Sequence, residues 1–130
     1  CRYKAMKTIK HYAVFCDSSV KKARWMKEGF RHCFIIRKDY DTLFTIVDGG
    51  YNGMSVRYEC AKSNNINDLL PKRCTVVEYA FQPNSNMAHN VGFVSCVMVV
   101  KYMLGINKPF ILTPYQLYRY LKNDRSSKYL

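Results

Sequence analysis

Residues 31–50 read R-H-C-F-I-I-R-K-D-Y-D-T-L-F-T-I-V-D-G-G, and this stretch constrains the fold more than any other. Two runs rich in β-branched and aromatic residues, 32–37 and 43–48, flank the polar segment K-D-Y-D-T at 38–42, a break of hairpin length. A lone hairpin is marginal in water, so these strands need a wider sheet and something packed upon it. The runs at 8–15 (TIKHYAVF), 55–60 (SVRYEC) and 74–81 (CTVVEYAF) are the candidates for the rest of that sheet.

Three helices are expected beside it. In the first, over 18–28, Asp17 or Ser18 can cap the first turn, and Val20, Ala23, Met26 and Phe30 fall near helical spacing. Trp25 broadens that stripe and Gly29 stops it. Residues 64–70 suggest a loop with a short helical piece, ended by Pro71. Residues 93–104 form an apolar helix with Gly105 as its stop. At 113–116 the chain reads T-P-Y-Q. Thr113 can cap, Pro114 suits the first helical position and Gln116 reaches back, which predicts a last helix over 114–122. The expected fold class is α+β, an antiparallel sheet packed against the helix that carries Cys96. Residues 1–121 read as a single domain and 122–130 as a basic polar tail.

Composition bounds the partners. With 48% hydrophobic and 15% aromatic residues, the 130-residue chain can form a packed core. Its net charge is +12. Such a charge favours an anionic partner, whether a cell-wall polymer, nucleic acid or an acidic protein surface, although a solvated basic surface accounts for the count as well. The Lys and Arg residues are scattered, and no nucleic-acid motif stands out. Cys1, Cys16, Cys33, Cys60, Cys74 and Cys96 contain no C-x-x-C pair, and no His lies at a ligand interval from them. Neither a metal nor a cofactor is expected, and free thiols suit a reducing compartment. No secretion signal is visible and the longest uncharged apolar run, 91–100, is too short to span a bilayer, so a cytoplasmic or virion-associated protein is expected. The chain starts with Cys rather than Met, which leaves its true beginning open.

Two places can carry chemistry. If the hairpin pairs symmetrically about Tyr40, His32 faces Asp48, with Cβ atoms about 4.5–5.5 Å apart on one face. Asp48 can then accept from Nδ1–H of His32 and leave Nε2 as a base. Equally, the two can simply flank a hairpin end at the surface. Cys96 sits in N-V-G-F-V-S-C-V-M-V-V-K, where a glycine-containing loop enters the apolar helix. The positive end of a helix dipole stabilises a thiolate in the first turn, whereas a Cys among Val and Met is often inert core. Asn90, six residues earlier, is a candidate oxyanion donor, and His89 is a rival base. Both can also be ordinary loop residues.

A strand beginning with His, a hairpin to a second strand, and a later Cys opening an apolar helix resemble the circularly permuted papain-like group. That group includes relatives of the NlpC-type peptidoglycan peptidases and the lecithin retinol acyltransferase-like proteins. The matching pieces are R-H-C-F-I-I-R, F-T-I-V-D-G-G and F-V-S-C-V-M-V-V-K-Y-M-L-G-I. I-L-T-P-Y-Q-L-Y is similar to the helix after the Cys helix in small phage-encoded members. The resemblance spans roughly residues 30–121 and implies a thiol attacking an amide or ester. Cys96 would be the nucleophile, His32 the general base, Asp48 its orienting partner and Asn90 the oxyanion donor. The other class compatible with the sequence is a non-enzymatic structural or binding protein, such as a phage virion component, using the same scaffold and a basic surface.

Overall fold

The computed structural model describes residues 10–18, 26–39, 42–50, 53–61, 66–80, 96–124 and 127–129. The fold is α+β. Six strands, β1 (Lys10–Cys16), β2 (His32–Lys38), β3 (Leu43–Gly50), β4 (Gly53–Cys60), β5 (Cys74–Ala80) and β6 (Ser127–Tyr129), form one sheet. Their order is β4-β3-β2-β1-β5-β6, and every neighbouring pair is antiparallel. Among the described residues the sheet is accompanied by two helices, α1 (Cys96–Leu104) and α2 (Pro114–Asn123), and a 3-10 turn at Ile66–Leu69.

Period-two alternation sends the odd and even residues of the strands to opposite faces. Ala13, Phe15, Cys33, Ile35, Val47, Val77 and Tyr79 pack against Val97, Val100 and Leu104 of α1 and Leu117 and Leu121 of α2. On the other face Tyr12, Val14, Phe34, Ile36, Phe44 and Ile46 meet Ala61 and Ile66. The central strands β1, β2 and β3 are therefore covered on both faces, which is why they read as near-continuous apolar runs. β4 lies at the edge of the sheet and is exposed along nearly its whole length.

The elements read from the sequence correspond closely to these. The T-P-Y-Q segment forms a full capping box: Gln116 N–H donates to Thr113 Oγ1 at 3.2 Å, and Thr113 N–H donates to Gln116 Oε1 at 3.0 Å. Gly29 and Gly105 both have positive φ, 83° and 74°, as expected of residues that end a helix or turn. The helix expected over 18–28 falls largely on residues 19–25, outside the described residues, and its described end needs correction, since residues 26–28 form a bend and a turn rather than helix. Among those that are described, Asp17 Oδ1 accepts from the Gly29 amide at 2.6 Å and from Arg31 at 3.3 Å. The tail needs correction. Residues 122–130 do not stand apart from the fold, because α2 runs on to Asn123 and Ser127–Tyr129 pairs with β5 through Val77↔Tyr129 and Glu78↔Lys128. Among the described residues no helix is long and apolar enough to cross a membrane.

Candidate active site

The hairpin register differs from the symmetric one expected. β2 and β3 pair as Ile35↔Val47, Ile36↔Ile46, Arg37↔Thr45 and Lys38↔Phe44, so facing residues sum to 82 rather than 80. Asp39 causes the difference. Its amide donates to Leu43 O at 3.0 Å, its carboxylate accepts from Arg37 Nε at 2.8 Å and from the Thr45 hydroxyl, and these bonds carry the pairing one residue further before the chain turns. Continued at this offset, Asp48 stands opposite Phe34, and His32 lies two residues along on the same face. A slip of two preserves the face, so the pair still meets, diagonally. His32 Nε2 and Asp48 Oδ1 are 2.7 Å apart. The pairing expected from the sequence sets Nδ1 against Asp48. The structure instead engages Nε2 and leaves Nδ1 as the second ring nitrogen.

Cys96 is the first residue of α1, which packs on β2 and β3. Its thiol is half-buried and hydrogen-bonds with His32. Cys33 acts on the same sulfur through both its side chain and its backbone amide. The second follows from the sheet. In the β2–β3 ladder Asp39 N–H points to β3, so alternation also turns the amides of Arg37, Ile35 and Cys33 that way. The ladder, however, ends at Ile35↔Val47. The Cys33 amide is left without a β3 partner in that ladder, and it is among the groups that hold the Cys96 sulfur down.

These contacts decide the protonation states. The Cys33 thiol is the largest influence holding Cys96 down. Burial opposes it, and the bond from His32, the Cys33 amide and the His32 charge add to it, bringing Cys96 from 9.0 to about 5. His32 is raised from 6.5 to about 10, first by its bond to Asp48 and next by its bond to Cys96, against an opposing contribution from burial. Between these limits the two groups stand as thiolate and imidazolium. Three other thiols behave oppositely. Burial raises Cys16 to about 11, raises Cys33 well above its ordinary value, and raises Cys74. The selection of Cys96 is thus made by its neighbours, not by exposure.

The pair is reachable from solvent, since His32 and Asp48 keep 24% and 35% of their side chains exposed. Cys16 lies directly across β1 from His32 and across from Cys74 on β5, lining the same end of the sheet with neutral thiols. Chemically, the arrangement offers a nucleophile, a proton donor and a carboxylate that orients it. Of the expected site residues, Cys96, His32 and Asp48 come together, whereas Asn90 and the rival base His89 lie outside the described residues. Sequence reasoning missed Cys33. Alternation sets Cys33 on the face opposite His32, so a reading that aims His32 at the Cys helix turns Cys33 away from it, whereas the structure packs Cys33 under α1. Among the described residues, no group of three or more His, Cys, Asp and Glu side chains is arranged to hold a metal ion. Compared with known proteins, the chain matches no family model, no curated protein and no solved structure.

Proposed function

We propose that the chain is a cysteine hydrolase or acyltransferase of the permuted papain-like kind, acting on an amide or ester. One observation carries the reading: His32 Nε2 lies 2.7 Å from Asp48 Oδ1, and the same imidazole acts on the thiol of Cys96 at the head of α1. The chain order, His strand β2 before Cys helix α1, is that of the permuted group. With the proton already on the imidazole, the Cys96 thiolate adds directly to the carbonyl carbon. His32 then gives its proton to the leaving amine or alkoxide as the C–N or C–O bond breaks. Neutral His32 next takes a proton from water, and hydroxide releases the acyl group. An acceptor amine or hydroxyl in place of water makes the same cycle a transfer. Asp48 holds the ring and stabilises its charged form. The amide of Cys96 at the helix start, together with Asn90, is the candidate oxyanion donor set. The +12 charge favours an anionic substrate or an anionic carrier of it, such as a cell-wall polymer, nucleic acid or acidic protein.

The test is a burst with p-nitrophenyl acetate. The expected result is one equivalent of nitrophenol released per chain, with an acetyl group on Cys96 by peptide mass spectrometry, and no burst from Cys96→Ser. Absence of the burst together with slow iodoacetamide alkylation of Cys96 at pH 6 overturns the reading.

A second reading has its own support. Met54, Tyr58, Phe110 and Leu112 expose 61%, 72%, 88% and 71% of their surfaces, and with the basic charge they suit a structural or binding protein, such as a virion component, on the same scaffold. A Cys96 thiol that is neither acylated by the ester nor alkylated at pH 6, in a chain that binds DNA in a salt-sensitive way, favours this second reading.

A further inference from the structure

Among the described residues β4 is the edge strand of the sheet, and an unusual one. Edge strands normally carry Pro, several Lys or a bulge that discourages pairing. β4 reads G-M-S-V-R-Y-E-C, is paired with β3 without interruption from Gly50↔Gly53 to Leu43↔Cys60, and exposes Met54, Val56 and Tyr58 on one face. That face is the one α1 occupies, since Val56 stands opposite Val47, which packs beneath the helices.

The direction of its free backbone groups can be read. Ala61 N–H donates to Thr42 O at 2.8 Å, and 61 and 42 continue the β3–β4 register. Odd residues of β4 therefore direct their amides to β3, and the even ones, Met54, Val56, Tyr58 and Cys60, direct theirs away from the sheet.

We infer that β4 pairs antiparallel with β4 of a second copy of this chain, in a two-fold register centred on Tyr58. Charge favours that register, which sets Arg57 directly opposite Glu59. Centred on Arg57 the contact sets Arg57 against Arg57, and centred on Glu59 it sets Glu59 against Glu59, both like-charge pairs directly opposite. Centred on Tyr58, Arg57 of each copy faces Glu59 of the other, twice. Tyr58, whose amide points outward, sits on the axis as a hydrogen-bonded pair with its own copy, and Val56 meets Cys60. The contact is isologous, and it continues the sheet from one copy into the other. The +12 charge of each copy works against association at long range, so the two Arg–Glu pairs must lie at the contact itself. None of these residues takes part in the thiol chemistry.

Sedimentation equilibrium of the full chain across the micromolar range tests it. The 15.3 kDa chain is expected to sediment at twice its mass. Arg57→Glu and Glu59→Arg, each placing four like charges at the axis, are expected to weaken the dimer about ten-fold or more, and the double exchange R57E/E59R to restore it. Val56→Pro removes an outward amide without breaking a bond to β3, so it should give a folded monomer. A wild-type monomer overturns the proposal and leaves the edge for an extended segment of another protein. A dimer indifferent to Val56→Pro, or single reversals that the double exchange does not rescue, overturn it too.

Discussion

His32 Nε2 and Asp48 Oδ1 lie 2.7 Å apart across two strands that have already stopped pairing at that level. The bond to Asp48 is the largest influence raising His32 to about 10. Asp48→Asn keeps a polar partner and removes the charge. The imidazolium should then lose its proton at a lower pH, and iodoacetamide alkylation of Cys96 at pH 6 should slow by about ten-fold or more, one pH step of protonation being worth that factor. Titration of the His32 ring protons by NMR checks the first outcome and alkylation kinetics the second. An unchanged midpoint for the ring would show that Asp48 is a bystander.

Cys33→Ala should move the midpoint of Cys96 alkylation upward from about 5, because it removes the thiol donor that is the foremost influence on that sulfur. A hydrogen bond to a charged group contributes about 1.5–3 kcal/mol, which corresponds to roughly one to two steps on the pH axis. The backbone donor of residue 33 remains, so the midpoint should stop well short of 9.0.

Stability should follow the ion pair. Cys96 has a folded value below its ordinary 9.0, so its contribution is complete above 9 and is lost as pH falls toward about 5. His32 has a folded value above its ordinary 6.5, so its contribution is complete below 6.5 and is lost as pH rises toward about 10. The difference in urea unfolding free energy between the wild type and Cys96→Ser should therefore be greatest from about 6.5 to 9 and shrink on both sides. A difference that does not vary with pH would mean the two groups are not coupled in the folded chain.

Two leucines near α2 should respond in opposite ways. Leu117 is fully buried among the strands and helices, and Leu117→Ala should cost about 2–5 kcal/mol. Leu112 is 71% exposed, and Leu112→Ala should stay within about 0.5 kcal/mol of wild type. Thr113→Ala, which removes one arm of the capping box, should fall between them at about 1 kcal/mol. Urea denaturation of the three variants at neutral pH is sufficient to order them.

Much of the fold was legible in the sequence because its strong signals are local. The β-branched runs marked β1, β2, β3 and β5, and the cap at Thr113 marked α2 to within a residue. β6 was not legible. S-K-Y lies in a charged, polar stretch with no alternation, and only its pairing with β5 makes it a strand. The site was legible as a list but not as a mechanism. Cys96 at a helix start, and His32 with Asp48 on one face, follow from spacing. Which imidazole nitrogen meets the carboxylate depends on a register that Asp39 shifts through Arg37 and Thr45. That Cys33 assists the sulfur depends on where a ladder ends, and no periodicity encodes a ladder's end.

The early end of the β2–β3 ladder carries a consequence for how this chain can tolerate change. Substitutions that tighten the sheet at Gly49 or Gly50, of the kind sought to make a protein sturdier, would draw β3 toward Cys33 and give its amide an ordinary strand partner. The molecule would gain cohesion and its thiolate would lose a donor. Robustness of the scaffold and reactivity of the sulfur are set in opposition at that one seam.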